Sequence, residues 1–170
     1  MWREFEIVVA ESPAPDGASA PERWRSNRLL LAVGGVAIVA GGLVAALARP
    51  MGWDHGSWLA AFLVLVAGVS QIGIGAAQSH LGRTAVDVRF TAVECMLWNG
   101  GCLGVVTGSL LASPAAVAIF SAPLVAVLAM SSFAVRQADR KSGYVLLHRL
   151  LVGTLLVSIP IGIALAFVRG

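Results

Sequence analysis

The chain has 170 residues, of which 58% are hydrophobic and only 12% charged, and its formal net charge is +3. An average soluble domain is about half apolar and a quarter charged, so this composition excludes an ordinary water-soluble core. The apolar residues fall into five long blocks, and a block of about 18 such residues can cross a bilayer as a helix. We therefore predict an all-α, polytopic integral membrane protein with five transmembrane helices in contact with the lipid bilayer.

The first 28 residues differ in composition from the rest of the chain. They contain five of the nine carboxylates and the run ESPAPDGASAPE, which has too few apolar residues to build a core. We predict a disordered cytoplasmic tail over residues 1–28.

Ala46-Leu47-Ala48 fits the small-x-small pattern of a signal-peptide cleavage site. The apolar segment before it is longer than a usual signal core, and the preceding region is long and partly acidic, so we expect the first span to be retained.

The five predicted spans form one transmembrane domain over residues 29–170. They cover residues 29–48, 58–79, 93–111, 115–135 and 144–168. Spans three and four are separated only by a few residues around Ser113-Pro114, which predicts a tight antiparallel hairpin. Pro123 and Pro160 interrupt the last two spans. Each follows a serine by two residues, a spacing that allows the hydroxyl to bond a freed carbonyl and permits a kink.

The basic residues predict the orientation, because short cytoplasmic loops accumulate lysine and arginine. With the N-terminus inside and the C-terminus outside, ten of the twelve Lys and Arg residues are cytoplasmic, and only Arg49 and Arg169 are outside. This topology also accounts for the net charge, so we expect no nucleic-acid partner. The Gly/Ala/Val/Arg-rich composition suggests a GC-rich bacterial genome, and we place the protein in the inner (plasma) membrane.

Small residues recur along the first span. Gly34-Gly35 and Gly41-Gly42 are seven residues apart, which places glycines repeatedly on one helix face. Such a face lets another helix approach closely. Ordinary packing within the chain explains this pattern better than a dedicated dimer interface, although other subunits or a second copy of the chain remain alternatives.

Polar residues form a layer near the predicted cytoplasmic side. Gln71 lies ~13 Å and Asn99 ~11 Å from that side by helical rise, so the two carboxamides can be level. Cys95, Asn99 and Cys102 share a face of span three, which can oppose the polar stripe of span two. The residues of this layer come from spans two, three and five: Gln71, Gln78, His80, Glu94, Asn99 and His148.

Two interpretations of this layer stand side by side. Buried carboxamides frequently serve as interhelical hydrogen bonds, each contributing about 1 kcal/mol, and this packing role is the simpler interpretation. Polar groups inside hydrocarbon also mark functional sites, and the layer could line a cavity that binds a polar ligand. His80 and His148 could in that case ligate a b-type haem through two imidazoles.

Motifs of enzymes are absent from the sequence. It contains no H-E-x-x-H, G-x-S-x-G or P-loop pattern, so we assign no catalytic residue. Cys95 and Cys102 lie about two turns apart on one helix, too far to bridge. His55 with Asp54 offers little for a metal, and we assign no metal site. We predict a non-enzymatic subunit or accessory protein of a larger membrane complex, with a haem- or cofactor-binding protein and a channel or carrier subunit as alternatives.

Overall fold

A computed structural model describes residues 24, 25, 27–81, 87–136 and 143–169. Within this part of the chain there are five helices and no strand, which confirms the all-α prediction. The helices are α1 (Arg28–Ala48), α2 (Gly56–Leu81), α3 (Val88–Leu110), α4 (Pro114–Val135) and α5 (Gly143–Arg169). Of the tail predicted over residues 1–28, all but Trp24, Arg25, Asn27 and Arg28 lies outside the described residues.

Four of the five helices, namely α1, α2, α4 and α5, are long and apolar enough to cross a membrane. The chain therefore has the helices of a multi-pass membrane protein. Helix α3 corresponds to the third predicted span but is not among the four. Its sequence includes Arg89, Glu94 and Asn99 together with several glycines, which lower its apolar character. The number of five spans and the orientation of the chain stay predictions.

The helices alternate in direction, and contacts between their termini define the two ends of the bundle. Asn27, just before α1, bonds to Ser79 near the end of α2. The ring of His80, also near the end of α2, stacks on Tyr144 at the start of α5. We call this the Asn27 end. The opposite end, which carries the turn between α1 and α2, is the Asp54 end.

The described basic residues divide unequally between these ends. Arg49 directly follows α1 and Arg169 ends α5, both at the Asp54 end, whereas five arginines lie before, at or near helix termini of the Asn27 end. These five are Arg25, Arg28, Arg89, Arg136 and Arg149. Of the other basic residues predicted to be cytoplasmic, Arg3, Arg23, Arg83, Arg140 and Lys141 lie outside the described residues.

Helix α2 changes its winding in the middle. Residues Phe62–Val69 are wound as a π-helix, between α-helical segments Gly56–Ala61 and Ser70–Leu81. At its end, both the backbone N–H and the hydroxyl of Ser70 donate to the carbonyl of Leu65, five residues earlier. A π-segment inside a helix rotates the residues that follow it relative to those before it, and such segments are frequent at functional sites. Here the buried polar residues Ser70, Gln71, Gln78 and Ser79 of α2 follow the π-segment.

Helices α3 and α4 pack extensively against each other, as the predicted hairpin requires. Only three residues separate them, and the Ser113 hydroxyl accepts from the backbone of Ala116 to cap α4. Ala112 in this turn has a φ of 48°, a left-handed conformation that favours glycine. Gly104 of α3 lies under the ring of Phe120, where an added Cβ would overlap the ring. The pair therefore packs closely through small residues of α3.

Helices α1 and α5 lie at the edge of the bundle. Helix α1 packs mainly on α2, and α5 packs on α4 and on the Ser70–Leu81 segment of α2. Both expose many large apolar side chains, including Val36, Val39 and Leu43 on α1 and Leu146, Leu147 and Leu150 on α5. Exposed apolar faces of this size are unusual on soluble monomers and are expected for surfaces in contact with lipid or with other membrane helices.

Candidate functional site

The centre of the polar layer is a pair between α2 and α3. The Gln78 Nε2 donates to both carboxylate oxygens of Glu94, at 3.0 Å to Oε1 and 2.8 Å to Oε2. Both side chains are 0% exposed. Within the described part of the chain, Gln78 is the side chain that bonds Glu94. A carboxyl group buried without a cation is costly, so this amide contact is what compensates for its burial.

A second polar contact lies about two turns further along the same helix pair. Asn99 Nδ2 donates to Gln71 Oε1 at 3.2 Å and to the backbone carbonyl of Cys95 at 2.8 Å. Gln71 Nε2 in turn faces the Cys95 sulfur at 3.3 Å. The polar stripe of α2 therefore faces the Cys95, Asn99 and Cys102 face of α3. Gln71 and Asn99 are level, and both contact Cys95.

Near the edge of the layer, Asn27 and Ser79 join α1 to α2. Asn27 Nδ2 donates to the Ser79 hydroxyl at 3.2 Å, and that hydroxyl donates to the Gly75 carbonyl at 2.8 Å. Both side chains are buried. Sequence reasoning missed Asn27, because it assigned the residue to the disordered tail. The polar layer thus reaches the start of α1 as well as α2, α3 and α5, and it anchors α1 there.

The two histidines proposed as haem ligands differ in environment. His80 is exposed at the end of α2, where its ring stacks on Tyr144 with centroids 5.2 Å apart and meets the edge of Trp24 at 5.1 Å. His148 lies about one turn beyond Tyr144 on α5 and is only 5% exposed. Both histidines lie toward the Asn27 end, but His80 is exposed between aromatic rings, whereas helix packing buries His148.

Several buried polar atoms of this layer have no hydrogen-bond partner in the described part of the chain. They are Gln78 Oε1, Thr91 Oγ1, Trp98 Nε1, Ser131 Oγ and both ring nitrogens of His148. Thr91, Ser131 and His148 all lie within about two turns of the Asn27 end of their helices. Sequence reasoning missed Thr91 and Ser131. Their depth, counted from the helix ends as for Gln71 and Asn99, is the signal that could have found them.

The glycines of α1 separate into two pairs. A Cβ at Gly34 would lie 3.0 Å from the carbonyl of Gly68, and one at Gly41 would lie 3.0 Å from the carbonyl of Ala60, both on α2. Gly35 and Gly42 have nothing within 4 Å of such a Cβ. Of the four glycines named from the sequence, Gly34 and Gly41 therefore pack within the chain, and Gly35 and Gly42 point away from it.

The remaining candidate ligands do not assemble into a metal site. Among the described residues, no three His, Cys, Asp or Glu side chains are grouped so that they could hold a metal ion. Cys95 and Cys102 are both free and buried. His55 and Asp54 are exposed in the turn between α1 and α2. The arrangement can therefore form interhelical hydrogen bonds, but it offers no assembled nucleophile or metal centre in this part of the chain.

Comparison with known proteins adds no relationship: no family model, no curated protein and no solved structure matches the chain. What bears on function is therefore the geometry of the chain itself. That geometry is of a helical protein with membrane-length apolar helices and a buried polar layer between α2 and α3.

Proposed function

We propose that the chain is a non-enzymatic subunit or accessory protein of a larger membrane complex, in a bacterial plasma membrane and with its N-terminus in the cytoplasm. The observation that supports the proposal is that the side chains of the polar layer form hydrogen bonds mainly with one another. Gln78 bonds Glu94, and Asn99 bonds Gln71. Groups used in this way hold helices together and are not presented to a substrate. The same pairing gives no support to a channel or carrier pathway past Gln71 and Asn99.

The faces of α1 and α5 support the partner part of the proposal. These helices pack on the bundle along one side and expose large apolar residues on the other. On α1 the exposed side includes Gly35 and Gly42, which leave room for a close helix contact. A larger membrane protein that packs on this side covers apolar surface without requiring any catalytic group in this chain.

The experiment is purification of the intact protein from its native membrane in mild detergent, with identification and quantitation of whatever accompanies it. The proposal expects a stoichiometric larger membrane protein. A double variant, Gln71→Leu with Asn99→Leu, removes the second polar contact and is expected to retain that partner. Loss of the partner in a double variant that stays folded would show that these amides belong to a functional contact, against the proposal.

A second candidate, a haem- or cofactor-binding protein, is favoured by one observation. His148 is buried with both ring nitrogens free of partners among the described residues, and His80 lies toward the same end of the bundle. Neutral imidazole is a standard ligand of haem iron. This candidate predicts a coloured protein whose Soret band disappears in His148→Ala and in His80→Ala. A colourless protein purified from its native membrane would eliminate the haem form of this candidate.

A further inference from the structure

A deep cleft opens at the Asp54 end of the bundle, away from the polar layer. It has a volume of about 630 Å³, within the range of small-molecule sites, and is bounded by residues of α2, α3, α4 and α5. Helix α5 packs on the Ser70–Leu81 segment of α2 and on α4. Gly73 and Leu151 mark one such contact, toward the Asn27 end. The cleft lies along the other half of α5, between that helix and the rest of the bundle.

The walls of the cleft are apolar. Phe62 and Val66 of α2, Val105 of α3, and Leu155 and Ile159 of α5 face it. Two of the four serine hydroxyls along it are used within their own helices. Ser121 donates to the carbonyl of Val117 at 2.7 Å, and Ser158 donates to the carbonyl of Thr154 at 2.7 Å. The interior therefore suits an occupant made of hydrocarbon, with little need for polar groups along its length.

The depth of the cleft matches one leaflet of a membrane. On α4 its lining extends from Pro114 to Leu124, and on α5 from Leu155 to Ala166. At the rise of an α-helix these stretches measure roughly 15 and 17 Å. Half of a hydrocarbon core about 30 Å thick is about 15 Å. A lipid chain that begins at the membrane surface therefore reaches the bottom of the cleft without leaving its own leaflet.

The mouth of the cleft is polar. Asp54 and His55 line it, and both are exposed in the turn between α1 and α2. A carboxylate at this position attracts a cationic group at the membrane surface. The apolar walls and the acidic mouth together have the polarity of a phospholipid whose headgroup carries an ammonium group.

We infer that the cleft binds one acyl chain of an aminophospholipid, with the chain between α5 and the other helices and the headgroup beside Asp54. This lipid occupies the space between the last helix and the bundle at the Asp54 end. It stabilises the position of α5 there, in a region where protein contacts alone do not close the helix onto the bundle.

The test uses the full chain in bilayers that contain phosphatidylethanolamine with a photoreactive diazirine near the end of one acyl chain. After photolysis, mass spectrometry locates the adducts. A chain in the cleft labels its deep wall, including Leu124, which is only 3% exposed. Lipid that merely surrounds the protein labels exposed neighbours such as Val125. Adducts confined to Val125 and other exposed residues would overturn the inference.

A matched pair of variants distinguishes the effect of filling the cleft from the effect of adding a leucine side chain elsewhere on α5. Gly162 lines the cleft and Gly153 does not, and a Cβ at either position meets nothing within 4 Å. Both glycines lie within α5, so leucine at either position is compatible with the helix. Gly162→Leu is expected to reduce labelling of Leu124 to the level seen without photolysis, and Gly153→Leu to leave it unchanged. Equal labelling in the two variants would contradict the inference.

The headgroup is tested by replacing the probe with phosphatidylglycerol that carries the same diazirine. The amine-bearing probe is expected to label Leu124 more strongly than the glycerol probe, and Asp54→Asn is expected to abolish the difference. Equal labelling by both probes in the unmodified protein would overturn the assignment of an aminophospholipid.

Discussion

Gln78 uses one amide nitrogen to donate to both oxygens of Glu94, and the two side chains are completely buried between α2 and α3. Removing only Gln78, as in Gln78→Leu, leaves the carboxyl group buried without its donor. We expect the free energy of unfolding to fall by about 1 to 3 kcal/mol. Replacing both residues with leucine removes the unpaired group as well and is expected to cost less than the single change. The free energy of unfolding in mixed micelles is measured for the unmodified protein, the single variant and the double variant.

A matched control for this pair is Thr107→Leu, an exposed position on α3. It is expected to change the unfolding free energy by no more than about 0.5 kcal/mol. If Gln78→Leu proved as harmless as Thr107→Leu, the hydrogen bonds between α2 and α3 would not have the structural role described above.

The glycine pair Gly34 and Gly35 provides a second prediction. Gly34→Ala places a methyl group 2.8 Å from Ile72 Cγ1 and 3.0 Å from the carbonyl of Gly68, so α1 has to move away from α2. We expect destabilisation of about 1 to 3 kcal/mol. Gly35→Ala meets no atom within 4 Å and is expected to be neutral or to stabilise α1 by up to about 1 kcal/mol. The thermal midpoints of the two variants in the same detergent give the comparison, and the reverse order contradicts the packing of α1.

The turn between α3 and α4 gives a third prediction. Ala112 has a φ of 48°. This left-handed backbone conformation costs a residue with a Cβ roughly 1 kcal/mol relative to glycine. Ala112→Gly is therefore expected to raise the thermal midpoint slightly, because the relief of strain outweighs the added freedom of the unfolded chain. Ala116→Gly, inside α4, is the control. It is expected to cost about 1 kcal/mol of stability and therefore to lower the thermal midpoint. Destabilisation of similar size by both changes would contradict the left-handed turn.

His148 supplies a fourth prediction that separates packing from ligand binding. Both of its ring nitrogens lack a partner in the described part of the chain, so His148→Leu removes no hydrogen bond seen there. We expect the unfolding free energy of the purified protein to stay within about 1 kcal/mol or to increase. A large loss of stability that accompanies the release of a bound molecule would instead support the cofactor-binding candidate.

Much of the helical arrangement follows from local properties of the sequence. The apolar blocks predict where the long helices lie, because backbone groups in hydrocarbon must bond within a helix. Counting helical rise from the span ends was enough to place Gln71 and Asn99 at one level, and the structure brings them into contact. Helix α3 is the exception. Its glycines and polar groups lower its apolarity below that of the other four helices, so its length alone does not make it a span.

Other features depend on packing that a linear pattern does not encode. The π-segment lies in the uniformly apolar run FLVLVAGV, where no capping or turn residue distinguishes it from an α-helix. Which glycines of α1 face α2 is a matter of helix rotation, so Gly34 and Gly35 look equivalent in sequence. The cleft exists because α5 contacts the bundle toward the Asn27 end and leaves space at the other, a relation between distant residues such as Phe62 and Ile159.

The most direct test of the proposed function is purification of the intact protein from its native membrane in mild detergent, followed by an absorption spectrum and quantitative mass spectrometry of the eluate. We expect a colourless protein accompanied by a stoichiometric larger membrane protein, and the same composition for the Gln71→Leu, Asn99→Leu variant. A Soret band that disappears in His148→Ala, or a chain that elutes alone, would contradict it.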